Sequence, residues 1–233
     1  MPEALALKGV SAGYGETHVL QAIDFALGDG ESLSVIGRNG VGKSTLLETI
    51  MGHTTLHAGE IALGGRRVDR SPVHMRALAG LGYVPQEREI FPSLSMRENL
   101  ELCARPGHWT AERVFELFPN LKDRLHAPGT QLSGGEQQML AIARALMTNP
   151  AVLLMDEPTE GLAPVIVQAL VQVLSRLRAE GGLSIVLVEQ NSRVALEFSA
   201  RTVVMDKGRI AYDGASERLR ADPEYLASLV AAQ

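Results

Sequence analysis

The sequence predicts an α/β fold built on a mainly parallel sheet, and three features of the chain indicate it. From residue 134 onward, strand-like apolar stretches alternate with amphipathic helices. Such alternation is typical of a parallel sheet covered by helices on both faces. Near residue 40, a glycine-rich loop joins an apolar stretch to a helix. The first quarter runs strand, turn, strand, which predicts an antiparallel β region at the N-terminus.

The N-terminal elements follow from local patterns in the first seventy residues. The strand-like stretches are ALALKGV, HVLQAIDFAL and ESLSVIG, with a turn at residues 28–30. KSTLLETIMG follows the glycine-rich loop and is predicted to be a helix that ends at Gly52. Residues 59–69 are predicted to form a short hairpin with paired glycines at its turn.

The later elements are helices and strands in the order GGEQQMLAIARALM, AVLLM, APVIVQALVQVLSRL and SIVLV. The unbroken apolar run in SIVLV predicts a strand that is buried on both faces. Residues 87–130 are polar, contain several prolines and glycines, and include the helical stretches SMRENLELCA and TAERVFELF. We therefore expect a helical insert at 87–130 within one domain spanning 1–233, and two short helices in the tail at 215–233.

The composition excludes several functional classes. The hydrophobic fraction of 45% and charged fraction of 21% are ordinary for a soluble globular protein. A net charge of −5 gives no indication of a nucleic-acid-binding surface, so no nucleic-acid partner is expected. The single cysteine, Cys103, cannot form an intramolecular disulfide, which fits a reducing compartment. Since no signal peptide or membrane-spanning apolar run is evident, we expect a cytoplasmic protein whose membrane role depends on a partner.

The stretch GRNGVGKST, residues 37–45, matches the phosphate-binding pattern G-x-x-x-x-G-K-[ST]. It follows the strand SLSVI and precedes a helix, so backbone N–H groups and the helix N-terminus can face an anion. The alternative, a glycine-rich turn that only starts a helix, does not explain the lysine after the last glycine. The pattern predicts a P-loop NTPase core in which Lys43 neutralises the β- and γ-phosphates and Ser44 ligates magnesium. The ATP-binding residues expected in this loop are Gly37, Asn39, Gly40, Gly42, Lys43, Ser44 and Thr45.

Two carboxylates follow the apolar strand in AVLLMDEP. A carboxylate at the end of a strand beside the phosphate loop can hold magnesium, which is the role expected for Asp156. Glu157 is then expected to point beyond the γ-phosphate and to polarise an attacking water. Without the phosphate loop, a solvated strand end would be the simpler interpretation.

A second anion site is predicted at LSGGEQQMLAIARAL. Ser133, Gly134 and Gly135 precede a helix, so their N–H groups are free to bind an anion. One nucleotide does not require two phosphate sites. Two copies arranged head to tail do require them, because each copy closes over the nucleotide held by the other.

Taken in order, these motifs resemble those of the ATP-binding cassette subunits of ABC transporters, and the resemblance covers essentially the whole chain. The motifs are an aromatic residue at Tyr14, the phosphate loop at 37–45, Gln86 in GYVPQ, LSGGEQQ at 132–138 and LLMDEPT at 153–159. The resemblance implies that Tyr14 stacks on adenine and that Gln86 binds magnesium and the attacking water. Without it, Tyr14 would be an ordinary residue near a turn and Gln86 an ordinary loop residue.

The end of SIVLVEQNS lies where most members of that family place a histidine that contacts the γ-phosphate. Here the position is Gln190, whose amide can donate a hydrogen bond but cannot become a cation or carry a proton away. We expect Gln190 to contact the γ-phosphate, and Asn191 and Ser192 to cap the next helix. Glu189 is expected to have no part in the site.

The resemblance also implies cofactors and partners. These are ATP and Mg²⁺, transmembrane permease subunits, a second ABC ATPase subunit in a homodimer or heterodimer, and indirectly an extracytoplasmic solute-binding protein. The chain would then lie peripherally on the cytoplasmic face of the cell membrane. In the family, the helical insert receives permease helices, so Phe91 and Leu94 either contact the permease or pack within the insert.

Three local sequences resemble the second ATP-binding subunit of branched-chain, hydrophobic amino-acid importers: QEREIFPSLSMRENL, DEPTEGLAP and VEQN. Urea or amide importer ATPases of the same branch share much of this, but typically have an aromatic residue after the Glu-Gln pair. Asn191 and Ser192 therefore favour the amino-acid group. Two departures stand out: Glu87 where the group often has glycine, and Ala163-Pro164 where most cassettes have an aspartate that couples the two sites.

Two rival classes fit the sequence less well. A soluble ABC ATPase acting on ribosomes or DNA typically has two cassettes in one chain or a long coiled-coil insertion, and neither pattern is evident in this sequence. A small-molecule P-loop kinase has no use for LSGGEQQ. An ATP-hydrolysing subunit of an amino-acid importer is the function that the sequence predicts.

Overall fold

Two sheets organise the fold of the computed structural model, which describes residues 3–230. Within those residues the strands are β1 Glu3–Tyr14, β2 Thr17–Gly28, β3 Ser32–Ile36, β4 Thr55–Leu63, β5 Arg66–Arg67, β6 Leu81–Val84, β7 Val152–Asp156, β8 Ser184–Glu189, β9 Arg201–Asp206 and β10 Arg209–Ala215. The smaller sheet has the order β2-β1-β4-β5 and its strands pair antiparallel. The larger sheet has the order β10-β9-β3-β8-β7-β6 and is parallel except for β10. The predicted α/β class, with its antiparallel N-terminal region, is confirmed.

Helices cover both faces of the larger sheet. Over the described residues they are α1 Lys43–Met51, α2 Val73–Leu78, α3 Met96–Cys103, α4 Ala111–Leu117, α5 Pro119–Lys122, α6 Gly134–Met147, α7 Pro164–Glu180, α8 Ser192–Phe198, α9 Ser216–Ala221 and α10 Pro223–Val230. Successive residues of β7 divide between the two faces: Leu154 packs in the core that contains α1, and Leu153 in the core that contains α6 and α7. The central strands are therefore buried on both faces, as their unbroken apolar runs predict.

The register of the central strands determines where the site lies. Ile36 at the end of β3 pairs with Glu189, and Asp156 at the end of β7 pairs with Val188. Because these strands are parallel, their carboxyl ends meet at one edge of the sheet. The phosphate loop, the carboxylates after β7 and the polar residues after β8 consequently leave the sheet side by side.

The C-terminal end of helix α1, which follows the phosphate loop, is capped by its surroundings. Gly52 takes a left-handed conformation with φ of 90°, and its N–H donates to the carbonyls of Glu48 and Thr49, so the helix ends where predicted. The buried guanidinium of Arg76 donates to the carbonyl oxygens of Thr49 at 2.9 Å and Ile50 at 2.7 Å. These contacts satisfy carbonyls that a helix end leaves without partners.

The segment between β6 and α6 contains helices α3, α4 and α5, and α3 packs against α6. The stretches SMRENLELCA and TAERVFELF do form helices, each starting one residue late because Ser95 and Thr110 serve as N-caps. Strands β9 and β10 form a hairpin that the sequence analysis did not predict. The division of the chain into one domain with an insert at 87–130 stays a prediction.

Candidate functional site

The phosphate loop borders a cavity of about 240 Å³ at the carboxyl edge of the larger sheet. We call it the phosphate-loop cavity, and it is lined by Val19, Asn39, Gly40, Gly42, Lys43, Ser44, Thr45, Gln86 and Glu157. The loop wraps tightly because Gly40 and Gly42 have φ of 80° and 106°, values that side chains other than hydrogen rarely allow. The structure thus brings most of the predicted phosphate-binding residues together with Gln86 and Glu157.

Lys43 and Glu157 form an ion pair inside this cavity. Lys43 Nζ lies 3.1 Å from Glu157 Oε1, and it also donates to the carbonyl oxygens of Gly37 at 2.9 Å and Arg38 at 3.1 Å. The two side chains are only 4% and 7% exposed. A buried charge requires a partner, and here each satisfies the other. An anion that enters the cavity will therefore compete with Glu157 for the lysine.

The backbone at Glu157 is strained. Its φ is 44°, a left-handed value that is uncommon for a residue with a side chain. The N–H of Glu157 donates to the carbonyl of Val188 at 2.9 Å, and its own carbonyl accepts from the N–H of Glu160 at 3.0 Å. Strain of this kind clusters at functional sites and persists only when the surroundings hold it in place.

Asp156 has the environment of a cation ligand. It is 2% exposed, and its Oδ1 has no hydrogen-bond partner among the described residues. Burial raises its pKa to about 6, partly offset by a hydrogen bond from Ser44 and by the charge of Lys43. A buried carboxylate oxygen without a partner, next to a serine hydroxyl, is a donor set that suits Mg²⁺.

Gln86 and Tyr14 are each held by a hydrogen bond to a carboxylate. The Gln86 amide lines the phosphate-loop cavity and donates to the carboxylate of Glu160. The Tyr14 side chain is 49% exposed, and its hydroxyl donates to the carboxylate of Glu48. An exposed ring held by its hydroxyl leaves an aromatic face available for stacking. The adenine contact of Tyr14 stays a prediction.

The residues Ser133, Gly134 and Gly135 do not line the phosphate-loop cavity. Gly134 and Gly135 form the first turn of α6 rather than preceding it, which corrects the sequence interpretation, and Ser133 is the N-cap. The Ser133 N–H donates to Glu136 Oε2 at 2.7 Å, so this donor is already satisfied within the helix start. The anion site predicted there must rely on the glycine N–H groups and the serine hydroxyl.

Gln190 borders a larger groove of about 860 Å³ between α7 and α8, which Glu157 also lines. Asn191 is the N-cap of α8, with its Oδ1 accepting from the N–H of Val194 at 3.3 Å, while Ser192 is the first helical residue. The expected cap is therefore confirmed for Asn191 and wrong for Ser192. The amide of Gln190 is exposed at the groove, and its γ-phosphate contact stays a prediction.

Glu189 makes a buried contact that the sequence analysis did not predict, although its lack of a part in the site stays a prediction. It is 2% exposed, and its carboxylate accepts from the N–H of Thr159 at 3.1 Å and from the Thr159 hydroxyl at 2.9 Å. Burial raises its pKa to about 7, although the bonds from Thr159 act in the opposite direction. Sequence reasoning missed it because nothing local distinguishes a buried carboxylate at a strand end from a solvated one.

A protein-family model described as ABC transporter matches residues 20–160 of the chain. This chain belongs to the ABC transporter ATP-binding family. The match spans the phosphate loop, Gln86, LSGGEQQ and the Asp156–Glu157 pair, which are the motifs that the sequence analysis identified.

Named relatives of this ABC ATPase match it over nearly its full length. The high-affinity branched-chain amino acid transport ATP-binding protein BraG of Pseudomonas aeruginosa is 38% identical, and the match covers 94% of this chain and 96% of BraG. The probable branched-chain amino acid transport ATP-binding protein LivF of Archaeoglobus fulgidus is 36% identical, over 90% of this chain and 91% of LivF.

A solved ABC cassette has the same fold. The dimeric ATP-binding cassette MJ0796, solved in a post-hydrolysis state bound to ADP and phosphate, is 27% identical with a TM-score of 0.79. The match covers 91% of this chain and 98% of that one. Over residues 3–230 of our ABC ATPase, no helix is both long enough and apolar enough to cross a membrane.

Proposed function

We propose that this chain is the ATP-hydrolysing subunit of an ABC importer that powers uptake of branched-chain, hydrophobic amino acids through separate permease subunits. The observation that carries the ATPase role is the meeting of Lys43 and Glu157, 3.1 Å apart, in the phosphate-loop cavity. The substrate class rests on the names of BraG and LivF, the relatives described above.

The residues of the phosphate-loop cavity and its neighbourhood have different roles in hydrolysis. The loop N–H groups and Lys43 bind the phosphates, while Ser44, Asp156 and Gln86 would hold Mg²⁺. The metal supplies charge neutralisation on the β- and γ-phosphates when bound. Glu157 orients the attacking water and accepts its proton, and Gln190 donates a hydrogen bond to the γ-phosphate.

Two cassettes are needed for a complete site. The helix start at Ser133–Gly135 is absent from the lining of the phosphate-loop cavity in its own chain, which supports a contact with the nucleotide of a partner cassette. The partner is a second copy or a different ABC ATPase subunit. Closure of the two cassettes over ATP and their reopening after hydrolysis then drive the permease.

A depression beside the nucleotide site supports the permease contact. It has a volume of about 250 Å³ and includes Ala77, Arg88 and Cys103 in its lining. Large apolar side chains are exposed nearby on α2 and α3, at Leu78 and Leu102, each 62% exposed. Contiguous exposed apolar surface marks protein contacts, and Leu78 and Leu102 are the chain neighbours of Ala77 and Cys103 in the lining. The proposal places the chain on the cytoplasmic face of the membrane, where a solute-binding protein contacts it only through the permease.

An uptake experiment in the chain's own host tests the proposal. The gene is deleted and restored as wild type, as Lys43→Ala, or as Lys122→Ala, an exposed lysine on α5 that serves as the matched control. We expect labelled leucine uptake to require the gene, to be lost with Lys43→Ala and to be kept with Lys122→Ala. Dependence of labelled urea uptake instead would assign the urea alternative. If the deletion lowers uptake of neither leucine nor urea, and the chain is found bound to ribosomes or DNA, the importer role is refuted.

A further inference from the structure

The loop that follows β7 is fastened to the end of β8 by a buried carboxylate. Glu189, the last residue of β8, accepts hydrogen bonds from both the N–H and the hydroxyl of Thr159, at 3.1 and 2.9 Å. Both residues are buried, at 2% and 8% exposed. Because the two bonds reach one residue through its backbone and its side chain, they fix its position and its orientation.

Thr159 lies in the short loop that carries the catalytic glutamate. The strained residue Glu157 opens this loop, and its N–H donates to the carbonyl of Val188. Val188 and Glu189 are consecutive residues of β8, so the loop is held at two adjacent points on one strand end. Left-handed strain persists only where neighbours hold it, and the Thr159–Glu189 contact is one of those restraints.

We propose that Glu189 is a positioning residue for ATP hydrolysis. It holds residues 157–160 against the end of β8, so that the carboxylate of Glu157 stays oriented toward the attacking water. Gln190 directly follows Glu189, and the same contact sets the spacing between Glu157 and Gln190, which line one groove. This inference rests on the proposed role of Glu157 as the group that orients water.

The loop of residues 157–160 also contacts Gln86. Glu160, next to Thr159, accepts a hydrogen bond from Gln86, whose amide lines the phosphate-loop cavity. A shift of Thr159 would therefore disturb Gln86 as well as Glu157. Displacement of a reacting group by about 1 Å can lower a rate by about 100-fold, so loss of this contact should be visible in kcat.

Paired variants test whether the hydrogen bonds between Thr159 and Glu189, rather than the presence of a side chain at either position, support hydrolysis. Thr159→Val removes the hydroxyl and keeps the shape, and Glu189→Ala removes the acceptor. Glu189→Gln can keep both contacts, because an amide accepts from the N–H and donates to the hydroxyl oxygen, and Thr159→Ser keeps the hydroxyl. We expect Thr159→Val and Glu189→Ala to lower kcat by roughly 10- to 100-fold, with KM for ATP within about twofold of wild type. The kcat of Glu189→Gln and Thr159→Ser should stay within about threefold of wild type.

Two comparisons decide the interpretation. In a Glu157→Gln background, Glu189→Ala should lower hydrolysis by much less than it does in the wild type, since most of its effect acts through Glu157 and only the remainder through Gln86 and Gln190. Glu217→Ala, a change at an exposed glutamate of α9 that does not line the groove, should have no effect. Wild-type kcat in folded Thr159→Val, the milder change, would overturn the inference, and so would a Glu189→Gln variant as impaired as Glu189→Ala. Wild-type hydrolysis by Glu157→Gln alone would instead refute the proposed role of Glu157.

Discussion

The ion pair between Lys43 and Glu157 predicts that Glu157→Gln changes ATP binding as well as hydrolysis. The two charges are 3.1 Å apart and almost fully buried. At an effective dielectric constant of about 20, their attraction is about 5 kcal/mol. A phosphate that approaches Lys43 must overcome this attraction and the repulsion from the same carboxylate. A neutral amide removes both effects while keeping nearly the same shape.

Only part of that energy will appear in binding, because Lys43 keeps its contacts with the carbonyl oxygens of Gly37 and Arg38. If the loss of the attraction between Lys43 and Glu157 makes phosphate binding more favourable by about 1.4 kcal/mol, ATP binds about tenfold more tightly. The loss of a group that accepts a proton lowers kcat by roughly 10² to 10⁴. We therefore expect Glu157→Gln to bind Mg-ATP more tightly than wild type while releasing phosphate far more slowly.

Isothermal titration with Mg-ATP and a phosphate-release assay on the same preparations measure the two effects. Glu180→Gln is the matched control, since Glu180 ends α7 outside the site and pairs with the partly exposed Arg113. Equal or weaker ATP binding by a folded Glu157→Gln protein would show that the carboxylate does not compete with phosphate for Lys43. Wild-type phosphate release would show that Glu157 is not the group that activates water.

Three further predictions concern stability and the γ-phosphate contact. Arg76→Ala removes the buried guanidinium that donates to the carbonyls of Thr49 and Ile50, and only the Thr49 carbonyl keeps another donor, the N–H of Gly52. We expect a loss of about 3 kcal/mol in urea unfolding, with exposed Arg70→Ala nearly neutral; an unchanged midpoint would contradict it. Burial raises the pKa of Glu189 from 4.5 to about 7, so the folded state keeps a proton that the unfolded chain has lost, and the stability of the wild type falls as pH rises through this window. Relative to wild type, Glu189→Gln should gain about 3 kcal/mol between pH 4 and pH 8, and parallel stability curves would refute the raised pKa. Gln190→Ala should lower kcat by roughly tenfold through loss of one hydrogen bond to the γ-phosphate, and full ATPase activity and transport would remove that role.

Much of the fold could be predicted because its signals are local. The buried strands β7 and β8 are unbroken apolar runs, and α1 is bounded by glycines that allow left-handed backbone at both ends. The hairpin of β9 and β10 was missed, and β10 shows why, since its residues alternate only between exposed and half-buried positions. An edge strand with so little burial carries a weak hydrophobic pattern.

The sequence by itself determined where the phosphate loop lies and which carboxylates follow the central strand, because the phosphate loop and the strand end are contiguous motifs. Only the tertiary structure decided that Lys43 pairs with Glu157, that Gln86 contacts Glu160, and that Glu189 holds Thr159 rather than facing solvent. These pairs are far apart in the chain, and the register of the parallel strands brings them together. A shift of one residue in the register of β8 would turn the side chain of Glu189 to the opposite face of the sheet, and it would change which loops meet at the strand ends. No local pattern could therefore predict the contacts.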